Sequence, residues 1–154
     1  MKDHKTFELY RPNQLVDFLN FLKDNPEEIF VYILVKPQTE AKVTYNQYTG
    51  EQQVRRPINI LSASKYGHFV FCLEEYSQIL FSPQPFVNKM KKNLKDIREK
   101  DYVLCMGDPA IIAVSSALVG DFTRGKINML KWDKQEKLYY PLSFNLYEKG
   151  QIDE

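Results

Sequence analysis

The sequence predicts a single α/β or α+β domain in which a mixed β-sheet carries about three packed helices. Two uninterrupted apolar runs, 29–35 and 102–106, are typical of strands buried on both faces. Apolar residues at helical spacing in 13–24 and 86–99 indicate amphipathic helices. The segment 101–132 contains a strand, a turn, a helix and a strand, which is long enough for a right-handed parallel crossover.

The N-terminal half begins with the helix 13–24, which ends at Asn25-Pro26. The apolar run 29–35 then forms a central strand. The strand segments that follow are 43–48, 52–56, 58–61 and 68–73. The first two flank Thr49-Gly50, a turn typical of a hairpin, and we expect this hairpin at an edge. Residues 76–81 fit either a strand or a helical turn.

The C-terminal half begins with a break at 82–85 and continues with the helix 86–99. The elements after it are the strand 101–106, the helix 109–119, and the strands 126–132 and 138–146. The helix 109–119 carries no charge on any face, so we expect it to be the most buried helix of the domain. Asp108 is placed to cap this helix, and Gly120 to end it.

Composition limits the class of protein. The 154 residues fit one domain, at 1–150, with a frayed acidic tail at 151–154. Lys and Arg number 21 against 20 Asp and Glu, so overall charge does not indicate a nucleic-acid or polybasic membrane binder. The N-terminus leads into no apolar signal core, and both cysteines lie in apolar runs, which suits free thiols in a reducing compartment. We therefore expect a cytoplasmic protein with no membrane partner.

The first candidate site is the turn between the strand 101–106 and the helix that follows it. Ligands of open sheets bind beyond the carboxyl ends of parallel strands. Gly107 would let an anion approach the backbone, Asp108 starts the helix, and Asp133 ends the next strand near the same rim. This arrangement predicts a nucleotide or phosphate-ligand site. The alternative is that Asp108 and Pro109 only begin a helix, and Asp108 places a negative charge where a phosphate would lie.

The second candidate is the basic helix within 86–100, which has six basic residues against two acidic ones from residue 89 onward. Its candidate nucleic-acid contacts are Lys89, Lys91, Lys92, Lys95 and Arg98. Arg55 and Arg56 would add to this cluster if they lie nearby. The alternative is the solvated face of an ordinary amphipathic helix.

The third candidate is an aromatic surface for a protein partner or for self-association. Aromatic residues and Arg are enriched in interfaces. The candidate residues are Tyr45, Tyr48, Arg55, Arg56 and Tyr139. In the last strand, alternation places Leu138, Tyr140 and Phe144 on a buried face, so Tyr139 is expected on the freer one.

No motif assembles a catalytic site, although an enzyme is not excluded. His4 lies near a loose terminus, and His68 begins an apolar strand where a structural role is expected. Cys105 has apolar neighbours, which should raise rather than lower the pKa of its thiol. We expect no metal and no cofactor.

The stretch from Asp101 to Pro109, with 130–133 and 140–142, resembles short uncharacterised proteins encoded by bacteriophages. The resemblance covers about the last third of the chain and implies a phage-encoded protein acting in the host cytoplasm. The leading hypothesis is a small binding protein that acts on another macromolecule. The alternatives are the ligand binder at 107–109 and a weak nucleic-acid binder.

Overall fold

The computed structural model describes residues 3–38, 42–55, 59–79 and 81–149. In chain order the elements are β1 (Thr6–Glu8), α1 (Pro12–Asp24), β2 (Phe30–Val35), β3 (Lys42–Tyr45), β4 (Gln52–Arg55), a 3₁₀ helix (Leu61–Tyr66), β5 (His68–Leu73), α2 (Pro83–Leu94), β6 (Tyr102–Leu104), α3 (Pro109–Phe122), β7 (Lys126–Asp133) and β8 (Leu138–Asn145). This order of elements confirms the mixed α/β class.

Within the described ranges, six strands form the main sheet in the order β1-β5-β2-β6-β7-β8. The first five of these strands run parallel, and β8 pairs antiparallel with β7. Every residue of β2 is buried, and β2 lies between β5 and β6, so its predicted central position is confirmed. The parallel pairing of β6 and β7 confirms the predicted crossover through α3.

The two faces of the sheet are covered differently. On one face, side chains of α1, α2 and α3 pack on alternate strand residues such as Phe30, Tyr32 and Val103. On the other face, Val31 and Ile33 pack with residues of the 3₁₀ helix. The connection after β2 therefore crosses one face, while the helices after β5 and β6 cover the other.

Two local predictions in the first half of the chain are corrected. The hairpin β3–β4 forms a two-stranded sheet of its own and is not an edge of the main sheet. The segment 58–61 is not a strand where it is described, because Leu61 begins the 3₁₀ helix, whereas residue 58 lies outside the described part. Residues 76–79 form neither of the predicted alternatives.

The helix α2 begins inside the predicted break, at Pro83, and ends at Leu94. Proline suits the first helical turn because its missing N–H has no partner there. Its predicted apolar face is present, since Met90, Leu94 and the nearby Ile97 are buried. Residues 95–100 follow as turns.

The helix α3 has more buried residues than α1 or α2, as its uncharged sequence predicts. It continues to Phe122, so the prediction that Gly120 ends it is wrong. Gly120 is buried within the helix, where a Cβ would meet Ile127 and Leu146 at ordinary contact distance. Asp108 occupies the predicted N-cap position, but its side chain accepts no hydrogen bond from the helix.

No helix in the described part of the chain is long and apolar enough to cross a membrane. The tail at 151–154 lies outside the described residues.

Candidate ligand-binding site

A cleft of about 380 Å³ opens at the carboxyl edge of the main sheet. Its lining residues follow three adjacent parallel strands: Val35, Lys36 and Pro37 at the end of β2, Tyr76, Ser77 and Gln78 after β5, and Met106, Gly107 and Asp108 after β6. The carboxyl ends of β5, β2 and β6 therefore form one side of a shared opening.

The cleft lies where the chain leaves neighbouring strands toward opposite faces. After β2 the chain crosses to the face covered by the 3₁₀ helix, and after β5 and β6 it crosses to the face covered by α2 and α3. Diverging connections leave a crevice between them, which is where ligands of open parallel sheets bind.

Gly107 shapes the inner wall of this cleft. Its φ of +110° lies in a region that side chains rarely adopt, and a Cβ built there would lie 2.5 Å from Val35 Cγ2. Glycine is the one residue that fits this position, because it has no Cβ and adopts positive φ values without strain. The turn therefore packs directly on the end of β2.

Two polar side chains of the lining have no partner within the described residues. The Asp108 carboxylate forms no hydrogen bond or ion pair there, and neither does the Gln78 carboxamide. The Ser77 hydroxyl donates to the Glu74 carbonyl at 2.7 Å, so its oxygen can still accept. The cleft thus offers a charged acceptor, an amide and a hydroxyl oxygen.

The cation of the cleft is already paired. Lys36 Nζ lies 2.6 Å from Glu8 Oε1, at the end of β1. The same carboxylate accepts from the Tyr10 hydroxyl at 2.7 Å and pairs with Arg11 Nε at 3.1 Å. The hydrogen bond from Lys36 is the largest cause that holds the pKa of Glu8 below its usual value. One carboxylate thus pairs with two cations, Lys36 and Arg11, so this ion-pair cluster keeps a net positive charge.

Tyr76 lies at the rim of the cleft with a φ of +62° and is 64% exposed. A left-handed conformation is strained for a bulky residue and recurs at functional positions. The loop after β5, whose role the sequence left open, thus places an aromatic ring beside the opening.

Asp133 is not among the residues that line the cleft. It ends β7, and its Oδ1 accepts from the backbone N–H groups of Gln135 at 2.9 Å and Glu136 at 3.3 Å. Asp133 is separated from the cleft because the turn at Gly107 packs against Val35 of β2. β2 lies on one side of β6, and β7, which ends in Asp133, lies on the other. Of the three predicted ligand-binding residues, Gly107 and Asp108 line this cleft and Asp133 does not.

The sequence-based prediction missed seven lining residues, namely Val35, Lys36, Pro37, Tyr76, Ser77, Gln78 and Met106. Five of them follow the segments 29–35 and 68–73, which were both predicted as strands. The carboxyl ends of these strands were a usable signal. Their adjacency to the strand 101–106 depends on strand order, which local patterns do not encode.

The basic helix is only partly the predicted surface. Lys89, Lys91, Lys92 and Lys95 are exposed and form no ion pair within the described residues. Arg98 lies beyond the end of α2 and has a structural position, because its guanidinium binds both carboxylate oxygens of Asp101 and the Glu28 carbonyl. Arg98 was predicted to contact nucleic acid, but its guanidinium is bound within the protein instead.

The aromatic candidates divide in the same way. Tyr45 and Tyr48 are 70% and 88% exposed on the β3–β4 hairpin. Tyr139 is only 3% exposed, contacts Trp132, and donates to the Asn59 carbonyl at 3.2 Å. For Arg55 only the backbone is described, and Arg56 lies outside the described residues.

The predicted burial of β8 is only partly observed. Tyr139, on the face expected to be freer, is buried beside the 3₁₀ helix, where the Tyr66 hydroxyl donates to its carbonyl at 3.0 Å. On the face predicted to be buried, Tyr140 and Leu142 are half-buried. Leu138 and Phe144, on the face predicted to be buried, are exposed.

The side chains considered for catalysis, none of which was predicted to be catalytic, differ in burial: His4 is exposed and Cys105 is half-buried. His68 is fully buried, and burial is the largest cause that lowers its pKa. Burial raises the pKa of the Cys72 and Cys105 thiols, as expected for inert cysteines. Among the residues that the structure describes, no group of His, Cys, Asp and Glu side chains could hold a metal ion.

These features define an α/β protein whose mixed sheet has an open cleft at the carboxyl ends of its parallel strands. The family model described as Phage Pam3 gp32-like protein matches residues 30–146, and the chain belongs to this family. The resemblance to phage proteins is thus confirmed and extends well beyond the last third of the chain, which indicates a phage-encoded protein. No curated protein and no solved structure matches the chain.

Proposed function

We propose that the protein binds a small polar ligand in the carboxyl-edge cleft. The observation that carries this proposal is the position of a cleft of about 380 Å³ at the ends of β5, β2 and β6. Its volume is within the range of about 300–1,000 Å³ that small-molecule sites occupy. The connections diverge at the same point, as in other open sheets that bind ligands there.

The lining has the mixture that small-molecule sites require. Val35, Pro37 and Met106 supply apolar surface, while Gln78 and Asp108 supply polar groups without a partner in the described structure. Apolar surface excludes water from the contact, and a few polar groups fix the orientation of the ligand.

A thermal-shift screen against nucleosides, nucleotides, sugars, amino acids and inorganic phosphate tests the proposal. A compound that binds the native state raises its stability in proportion to ln(1 + [L]/Kd). The variant Gln78→Trp, which fills the cleft, should lose the shift. The matched variant Gln135→Trp lies in the exposed β7–β8 turn and should keep it. The proposal is wrong if no compound shifts the unmodified protein, or if both variants respond alike.

A second candidate function is binding to another macromolecule through the hairpin β3–β4. The hairpin forms its own two-stranded sheet, and Val43, Tyr45, Tyr48 and Val54 are all exposed on it. Exposed aromatic residues are enriched in protein interfaces. This observation favours a protein partner or self-association for a phage-encoded binding protein in the host cytoplasm.

Sedimentation velocity over a range of protein concentrations tests self-association through this hairpin. If the hairpin mediates it, the double variant Tyr45→Ser, Tyr48→Ser should sediment as a monomer where the unmodified protein is larger. The control is the double variant Tyr147→Ser, Phe81→Ser, which replaces one tyrosine and one phenylalanine that are exposed elsewhere on the protein. An unmodified protein that is monomeric throughout removes self-association from this candidate function.

A further inference from the structure

We propose that the ligand of the cleft is an uncharged ring compound with vicinal hydroxyl groups, such as a nucleoside, and that binding requires no phosphate. This inference rests on the proposed function of the cleft. It names the class of ligand from the charges that face the opening.

The charge of the lining disfavours a phosphate. Its cation, Lys36, is held by Glu8 at 2.6 Å, so a phosphate would have to compete with an existing ion pair. Its anion, Asp108, forms no ion pair with any described residue. A second negative charge beside an unpaired carboxylate is repelled, whereas a hydroxyl group donates to it.

The polar groups of the lining suit hydroxyl groups. The two oxygens of the Asp108 carboxylate can each accept a hydrogen bond, which matches two neighbouring hydroxyls. Gln78 adds one donor group and one acceptor oxygen, and the Ser77 oxygen can accept. Acceptors therefore outnumber donors, and a ligand rich in O–H groups satisfies them.

The aromatic ring of Tyr76 suits the ring of such a ligand, as distinct from its hydroxyl groups. It stands at the rim with a strained φ of +62° and most of its surface exposed. Aromatic faces stack on nucleobases without regard to the base, and they also cover the apolar face of a sugar. An aromatic platform beside a carboxylate supplies one contact for a ring and one for its hydroxyls.

Isothermal titration of the full chain with adenosine, cytidine, ribose, adenosine monophosphate and inorganic phosphate tests this class. We expect a nucleoside to bind, its monophosphate to bind no more tightly, and inorganic phosphate not to bind. Asp108→Asn keeps the shape of the side chain and removes its charge. It should weaken nucleoside binding by roughly ten- to hundredfold, as when a hydrogen bond to a charged group is lost.

Asp133→Asn is the matched control, because Asp133 does not line the cleft. The affinity of this variant for the nucleoside should be unchanged. Thermal midpoints of both variants show that they fold. The sign of the Asp108→Asn effect separates the classes, since removing the negative charge would strengthen the binding of a phosphate. Tighter binding of the monophosphate together with that strengthening overturns the inference and leaves the proposed function intact.

The remaining outcomes are also decisive. Ribose binding as tightly as adenosine upholds hydroxyl recognition and overturns the part assigned to Tyr76. A compound without hydroxyl groups that binds in the cleft overturns the inference alone. If nothing in the wider thermal-shift screen binds, the proposed function of the cleft fails together with it.

Discussion

At the amino edge of the main sheet the buried carboxylate of Asp101 is surrounded by donors, whereas at the carboxyl edge the carboxylate of Asp108 has no partner among the described residues. Asp101 accepts from the Phe30 N–H at 3.0 Å and from the Arg98 N–H at 2.9 Å. The Arg98 guanidinium adds bonds of 3.0 Å to each oxygen. The same residue type therefore has opposite surroundings at the two ends of β6.

Other residues extend the network at the amino edge. Arg98 also donates to the Glu28 carbonyl at 2.7 Å, and Lys100 donates to the Pro26 carbonyl. His68 Nδ1 accepts from the Lys5 N–H at 2.9 Å. These bonds join the chain entering β1, β2, β5 and β6. Polar groups at this edge hold the fold together. At the carboxyl edge Glu8 and Lys36 are paired, whereas Asp108 and Gln78 have no partner among the described residues.

The largest effect should come from removing the central acceptor of the amino edge. Asp101→Ala leaves Arg98 without its carboxylate and the Phe30 N–H without an acceptor, and we expect the free energy of unfolding to fall by about 3 kcal/mol. Urea denaturation measures it. Asp108→Ala, at the other edge, is the comparison. Equal losses in the two variants would contradict the contrast between the edges.

At the carboxyl edge, the backbone should be more sensitive than the charges. Gly107→Ala combines an unfavourable φ with a Cβ 2.5 Å from Val35 Cγ2, and we expect a loss of about 2 kcal/mol. Gly50→Ala is the control, since its φ is also positive but no atom lies within 4 Å of a Cβ there, so its loss should be smaller. Adding Val35→Ala should recover part of the loss in Gly107→Ala. The absence of such recovery would show that the contact is not the cause.

The amino edge should also make stability depend on pH. Burial lowers the pKa of His68 below its usual 6.5, so the unfolded chain takes up the proton first as pH falls. Stability present above about pH 6.5 should therefore decrease as pH falls below that value. Protonation also places a hydrogen on Nδ1, which now accepts from the Lys5 N–H.

Urea midpoints across this pH range, for the unmodified protein and His68→Gln, measure the effect. The Gln oxygen can still accept from Lys5 but does not titrate, so the variant should show a flatter dependence. An equal slope in the two proteins would assign the pH dependence to other groups.

Local pattern and long-range packing explain what the sequence could and could not predict. The apolar run 29–35 identified the central strand, because a strand buried on both faces has no polar positions. The burial of Tyr139 was not predicted, because alternation shows which residues of β8 share a face and not which face is covered. Lys36 and Gln78 were missed because the order of the parallel strands brings them to Gly107. Gly120 did not end α3, because the positive φ angles that end the helix lie further on, at Arg124 and Gly125.

The lysines of the basic helix belong to neither edge of the sheet. Substituting several of them together should change the free energy of unfolding only slightly. Changing Lys91, Lys92 and Lys95 to Glu should alter the free energy of unfolding by less than about 1 kcal/mol, since exposed charges contribute little. The nucleic-acid hypothesis predicts retention of the unmodified protein on DNA at low salt and loss of retention in this variant.

The control for this experiment carries the same change of charge elsewhere, at Lys131, Lys134 and Lys149, and should still be retained. Retention that disappears equally in both variants would reflect net charge rather than α2. An unmodified protein that passes through the column at low salt would remove the nucleic-acid hypothesis.

The smallest expected difference decides whether the Asp108 carboxylate is held for a ligand or for the fold. As a helix cap it would contribute about 1 kcal/mol, but it accepts no bond from α3, so Asp108→Ala should cost at most about 0.5 kcal/mol through its interaction with the helix dipole. Asp133→Ala removes an acceptor of two backbone N–H groups in the β7–β8 turn and should cost about 1 kcal/mol. The order of these two losses is therefore the reverse of the order expected if the Asp108 side chain capped α3. Paired urea titrations of both variants measure it. A larger loss for Asp108→Ala would mean that this carboxylate stabilises the fold in solution, and the contrast between the two edges would then rest on Gln78 alone.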